Sequence, residues 1–89
     1  MTQKKAVALH YQQEQSGAPR IVAVGEGHLA QKILELAKEH EVPIVEDMIL
    51  VGKLAKFPVG VEIPPELFEA VAKVLAFIYR LEKEKARSR

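Results

Sequence analysis

The sequence predicts an α/β fold: one small domain in which a mixed β-sheet of three to four strands is flanked by helices. Three observations carry that prediction. A β-branched run, Ile21 to Val24, leads through Gly25-Glu26-Gly27 into a stretch of helical periodicity; a second apolar run, Val42-Pro43-Ile44-Val45, follows that stretch; and a long amphipathic segment comes last. Strand, helix and strand in this order is the pattern of a βαβ unit. At 89 residues the chain supports one modest core, so residues 1–89 form a single domain with flexible ends at 1–5 and 83–89.

Each element has its own signal. Ala6 to Tyr11 (AVALHY) alternates loosely and is rich in strand formers. The polar stretch Gln12 to Pro19 ends in Gly17-Ala18-Pro19, a turn signal, and Arg20 to Val24 resumes a strand. Two short strands so connected are neighbours in one sheet. From His28 to His40 the apolar residues Leu29, Ile33, Leu36 and Ala37 fall at spacings of three and four, which predicts an amphipathic helix with that face buried. Val42 to Val45 then reads as an interior strand parallel to the one before the helix. Met48 to Phe57 predicts a short helix with Ile49, Leu50, Leu54 and Phe57 turned inward, and 58–64 an extended turn. Pro65 suits a first helical position, with Glu66 and Glu69 favoured by the helix dipole. The stripe Leu67, Val71, Val74, Leu75, Ile78 and Leu81 predicts a helix running to about Glu82. Phe68, Ala72 and Tyr79 widen the stripe, which implies contact on more than one side.

Composition narrows the function. A chain 48% hydrophobic and 28% charged is ordinary for a globular domain and argues against disorder. A net charge of +1 with interleaved signs gives no basic face for nucleic acid. The absence of cysteine removes disulfides and thiolate chemistry and any sign of export to an oxidising compartment. No apolar run approaches the roughly 18 residues of a membrane span, and the N-terminus is not followed by a signal-type core. A cytoplasmic location is the expectation.

The chemical constellations are thin. Gly25-x-Gly27-x-x-Ala30 after a strand, with Glu46-Asp47 downstream, matches part of a dinucleotide fingerprint and makes a small nucleotide-binding domain the alternative reading. Against it, Glu26 sets a carboxylate in the phosphate cradle, and the chain is short for the crevice that such folds use. The same glycines are explained by a strand end and a closely packed helix. His10, His28 and His40 lie on different elements without metal-ligand spacing, so no metal or cofactor is expected. Ser16 sits in a polar turn without a nucleophile motif. Glu46-Asp47 fits a cap on the following helix better than an acid–base pair. Nothing here argues for an enzyme. What remains is surface: Ala18-Pro19 in the loop and Ala72 and Leu75 on the last helix either simply close the core or line a shallow apolar groove that would suit a short hydrophobic peptide.

The order of "AVALHY", "GAPRIVAVGEGHLAQKILELAKEHEVPIVED" and "VGVEIPPELFEAVAKVLAFIYRL" resembles the cytoplasmic C-terminal domain of the FlhB family, the export-gate and substrate-specificity-switch proteins of flagellar type III secretion. The likeness covers about Ala6 to Leu81. Its most specific pieces are Ala18-Pro19-Arg20-Ile21-Val22-Ala23 with Gly25, then Val42-Pro43-Ile44-Val45-Glu46, then Gly60 with Glu62-Ile63-Pro64. It implies a non-enzymatic interaction module of a bacterial protein export apparatus, in the form of the cleaved FlhB fragment. That module would substitute for the fragment or compete with it in substrate recognition and specificity switching, docked at the membrane export gate. It also implies that Ala18, Pro19, Ala72 and Leu75 form the patch that meets early export substrates.

The departures are as informative. The family's self-cleaving Asn-Pro-Thr-His motif is replaced by Met1-Thr2-Gln3-Lys4, with neither the asparagine nor the proline that the cleavage needs. A Pro-Pro pair usual after the acidic strand end is replaced by Met48-Ile49. The family's strand ahead of the cleavage motif has no counterpart, so Ala6 to Tyr11 is expected to expose an edge. Such an edge pairs with a partner strand, such as the N-terminal portion of FlhB, or with a second copy.

Overall fold

A computed structural model describes residues 4–11 and 17–87. Two strands, β1 (Lys5–His10) and β2 (Arg20–Glu26), are followed by α1 (His28–Glu39), α2 (Met48–Leu54), a single 3₁₀ turn (Pro65–Leu67) and α3 (Phe68–Arg87). The expected connection at 12–16, including Ser16, lies outside the described residues.

The strands pair antiparallel, from Lys5 opposite Glu26 to Ala8 opposite Ala23, then Leu9 opposite Ile21 and His10 opposite Arg20. Val22 is the extra residue and makes a bulge. The other edge of β2 is taken by 60–63. Ile21 N–H donates to the Val61 carbonyl (2.8 Å), Gly60 N–H to that of Ile21 (2.7 Å) and Ile63 N–H to that of Pro19 (2.9 Å).

That occupancy corrects the strand count. The sheet has two antiparallel strands, with one further bridge between Arg20 and Glu62, rather than a mixed set of three to four. Val42–Val45 forms no strand, and the start of the second edge of β2, at Pro19 and Ile21, is taken by 60–63 instead. Val42 and Ile44 are exposed.

The core lies on one face of the sheet. Ile21, Leu50, Leu54, Ile63, Leu67 and Val71 form it, with Val7, Leu9, Val24, Phe57 and Val74 packed around them. Ile21 and Val71 are fully enclosed. Helix α1 packs on the strands through Gly25, where an added Cβ would stand 2.8 Å from the Leu29 carbonyl carbon. Its inward face is Ala30, Ile33, Leu34 and Ala37, and not Leu29 and Leu36, which are exposed. The small Ala30 lets the helix lie close to the sheet, and the leucines are rotated outward. On α2, Leu50 and Leu54 point inward as expected but Ile49 does not. Helix α3 continues to Arg87, past the expected stop at Glu82, and Leu81 is exposed because the core ends nearer the helix start.

Helix α1 ends in a Schellman motif. Val42 N–H donates to Ala37 (2.8 Å) and Glu41 N–H to Lys38 (3.3 Å), with Glu41 in the left-handed region at φ 57°. A side chain there costs about 1 kcal/mol relative to glycine. Glu41→Gly is therefore expected to raise the urea midpoint, stabilising the fold by about 0.5–1 kcal/mol; a lower midpoint would show that the Glu41 side chain contributes more than its backbone costs.

Candidate functional surface

The four residues singled out in the sequence converge only in part. Ala18 and Leu75 both pack against the buried cluster that includes Ile21, Ile63 and Val71, each half-buried, so loop and helix border the same core. Ala72 is exposed, one helical turn before Leu75. Pro19 is buried, and its carbonyl is held by Ile63 N–H; it fixes the loop rather than presenting a contact.

Helical spacing sets what stands beside them. Phe68, Ala72, Leu75 and Tyr79 fall at i, i+4, i+7 and i+11 and so share one flank of α3. Phe68 and Tyr79 expose 46% and 54% of their surface, which makes this flank an apolar strip in water. The width of the α3 stripe signalled these two aromatic residues, and the structure turns both toward solvent.

The loop carrying Ala18 is tied down by pairing that no local pattern announces. Arg20 donates from Nη1 to the Gly60 carbonyl at 2.6 Å, and its Nη2 lies 3.7 Å from Glu62 Oε2. Both side chains are about half exposed, so the ion pair itself adds at most about 1 kcal/mol. Its effect is positional: 60–63 is held against the start of β2, next to Ala18.

The glycine motif has a structural task here. Gly25 is pressed against Leu29 and Ile33. Gly27 turns the chain at φ 58°, and its N–H donates to the Lys4 carbonyl at 2.8 Å. Glu26 stands opposite Lys5 in the ladder. Asp47 caps α2, its Oδ1 accepting from Leu50 N–H at 3.0 Å, as the acidic pair suggested. His10, His28 and His40 are all exposed. Among the described residues no three histidine or carboxylate side chains gather at one point, and no polar side chain is buried. No helix among them is long and apolar enough to cross a membrane. The surface offers shape and apolar contact.

Residues 3–78 match the family described as the FlhB HrpN YscU SpaS Family. The chain is 45% identical over 80 residues to "Uncharacterized protein YlqH" of Bacillus subtilis (strain 168), covering 90% of this chain and 86% of that one. It is 40% identical to "Flagellar biosynthetic protein FlhB" of the same organism, over 89% of this chain but 22% of the relative. Among solved structures, the native SpaS C-terminal domain superposes with a TM-score of 0.88, over 93% of this chain and 97% of that one; at 18% identity this likeness concerns the fold.

Proposed function

This chain belongs to the FlhB HrpN YscU SpaS Family, and from that membership we propose that it is a non-enzymatic interaction module of flagellar type III protein export. It works in the cytoplasm, docked at the export gate, and takes the place of the FlhB C-terminal fragment in recognising export substrates. The observation that carries this reading is the joining of Ala18 and Leu75 on one core, with exposed Phe68, Ala72 and Tyr79 alongside. A short hydrophobic segment of a substrate would lie along that flank, its apolar side chains between the loop and the helix.

Ala72 gives the cleanest test, because it is exposed and its replacement leaves the core intact. Ala72→Asp is expected to keep the melting temperature within a few degrees. It should nonetheless abolish rescue of motility when the chain is expressed in cells lacking the FlhB C-terminal fragment. Leu75→Asp should fail as well, with an added loss of stability. Rescue by Ala72→Asp equal to that of the parent chain would remove this flank from the function, and absence of rescue by the parent chain would overturn the substitution itself. Partner strands at β1 are tested in the same system: the N-terminal portion of FlhB should titrate with the chain in calorimetry, whereas a second copy at that edge would show as dimer in sedimentation.

A further inference from the structure

The strip from the end of α1 to the start of α2, away from the flank above, carries the two most exposed large apolar side chains among the described residues. Met48 and Ile49 are 84% and 74% exposed, and Val42 and Ile44 stand exposed beside them. Both ends of the strip are fixed. Val42 is bonded back to Ala37 in the cap of α1, and Asp47 caps α2 through Leu50 and accepts Val51 N–H at its carbonyl. Between these anchors, among the described residues, 43–46 make no hydrogen bond at all. Pro43 fixes its own φ and biases Val42 toward extended backbone, and Asp47 is extended at φ −153°. A pinned, open backbone is preorganised to accept a strand, since little ordering entropy remains to be lost on binding.

Charge specifies what kind of strand. Glu39, Glu41, Glu46 and Asp47 flank the strip along the chain and all are exposed, against one lysine, Lys38, and one histidine, His40, within 38–49. None of the four acids is in an ion pair among the described residues. An acidic rim around exposed aliphatic side chains repels acidic partners and draws basic ones, in a salt-dependent way.

We propose that Val42 to Ile49 is a docking strip for an extended peptide of another protein, with aliphatic and basic side chains together on one of its faces, which pairs with the backbone of 43–46 as an added strand. Its aliphatic side chains lie against Ile44, Met48 and Ile49, and its basic ones reach Glu41 and Glu46.

Fluorescence anisotropy tests this with a labelled Lys-Val peptide of about eight residues, in which Val and Lys take turns at every second position with serine between them, and with the Glu-Val peptide of the same layout as its counterpart. The Lys-Val probe should bind, and the Glu-Val probe should not. Raising salt from about 50 to about 500 mM should weaken binding about tenfold or more. Glu46→Lys and Ile44→Ser should each weaken it about tenfold without changing the melting temperature. Methylating alternate backbone nitrogens of the probe should also abolish binding, which separates strand pairing from charge attraction. Ala72→Asp should leave it unchanged, so that failure here and failure of the export reading remain distinct. Equal binding of both probes, tolerance of backbone methylation, or indifference to Glu46→Lys would overturn the proposal. So would a dimer in sedimentation that Glu46→Lys dissolves, since the occupant would then be a second copy of this chain.

Discussion

Ile21→Ala is expected to cost about 3–5 kcal/mol, a large share of the stability of a domain of this size. The residue is fully enclosed at the centre of the core, among Leu50, Leu54, Ile63, Leu67 and Val71. Its backbone also joins β2 to 60–63, through N–H to Val61 and carbonyl to Gly60. Truncation removes three carbons from a site walled by α2, the 3₁₀ turn and α3, and these elements cannot all collapse into the void. Urea unfolding should show the loss as a lower midpoint, while Ile21→Val, which removes one methyl group, should cost about 1 kcal/mol. A midpoint for Ile21→Ala near that of Ile21→Val would mean that the wall closes readily and the core is far more compliant than the packing indicates. The substitution should also release 60–63 and with it the loop carrying Ala18, so binding at the α3 flank should weaken alongside stability.

Gly25→Ala is the second large effect, and its origin is the opposite one. The added Cβ would stand 2.8 Å from the Leu29 carbonyl carbon and 2.9 Å from both Leu29 Cβ and Ile33 Cδ1. Two of those three atoms belong to the backbone or stem of α1, so a rotamer change at Ile33 cannot relieve the clash. The helix must lift from the sheet, at a cost of about 2–3 kcal/mol. Ile33→Ala in the same chain should therefore recover only a minor part of the loss, which a double-mutant cycle in urea would measure. Full recovery would place the crowding at the Ile33 side chain alone. Gly27→Ala differs again: no atom lies within 4 Å of its added Cβ, and the cost of about 1–3 kcal/mol is that of a side chain at φ 58° and ψ −120°, backbone that glycine adopts freely. The two glycines of an apparent nucleotide fingerprint thus do separate mechanical tasks, one of closeness and one of turning.

Much of this was legible in the sequence, and what was not has identifiable causes. The strand–turn–helix from Arg20 to Glu39 and the start of α3 at Pro65 followed from local chemistry: β-branched residues, glycine, proline and an acidic first turn. Helical period revealed α1 but not its rotation. The buried positions are chosen by size against the sheet at Gly25, which favours Ala30 over Leu29, and periodicity carries no information on that. Val42–Val45 looks like an interior strand because it is apolar. At the start of β2 the edge is bonded to 60–63, a segment some forty residues away whose pairing no local pattern announces. The proposed patch at Ala18-Pro19 drew most of its support from the family likeness, since an alanine and a proline before a strand otherwise signal a turn. Phe68 and Tyr79 were legible as excess width of a stripe.

The bulge at Val22 has a consequence for how the surface is wired. Ile21 and Val24 both pack on the core, yet they are three residues apart, and in a regular strand an odd separation puts side chains on opposite faces. The extra residue supplies a half-step of phase that brings them into agreement. The residues just upstream of it inherit that phase, Ile21 inward and Arg20 outward to Glu62. Loss of the extra residue in β2 would remove that half-step, turning Ile21 out of the core and Arg20 away from Glu62 with no substitution at any core position. The surface is thus keyed to a counting rule in the strand, and insertions or deletions there act at a distance that substitutions do not.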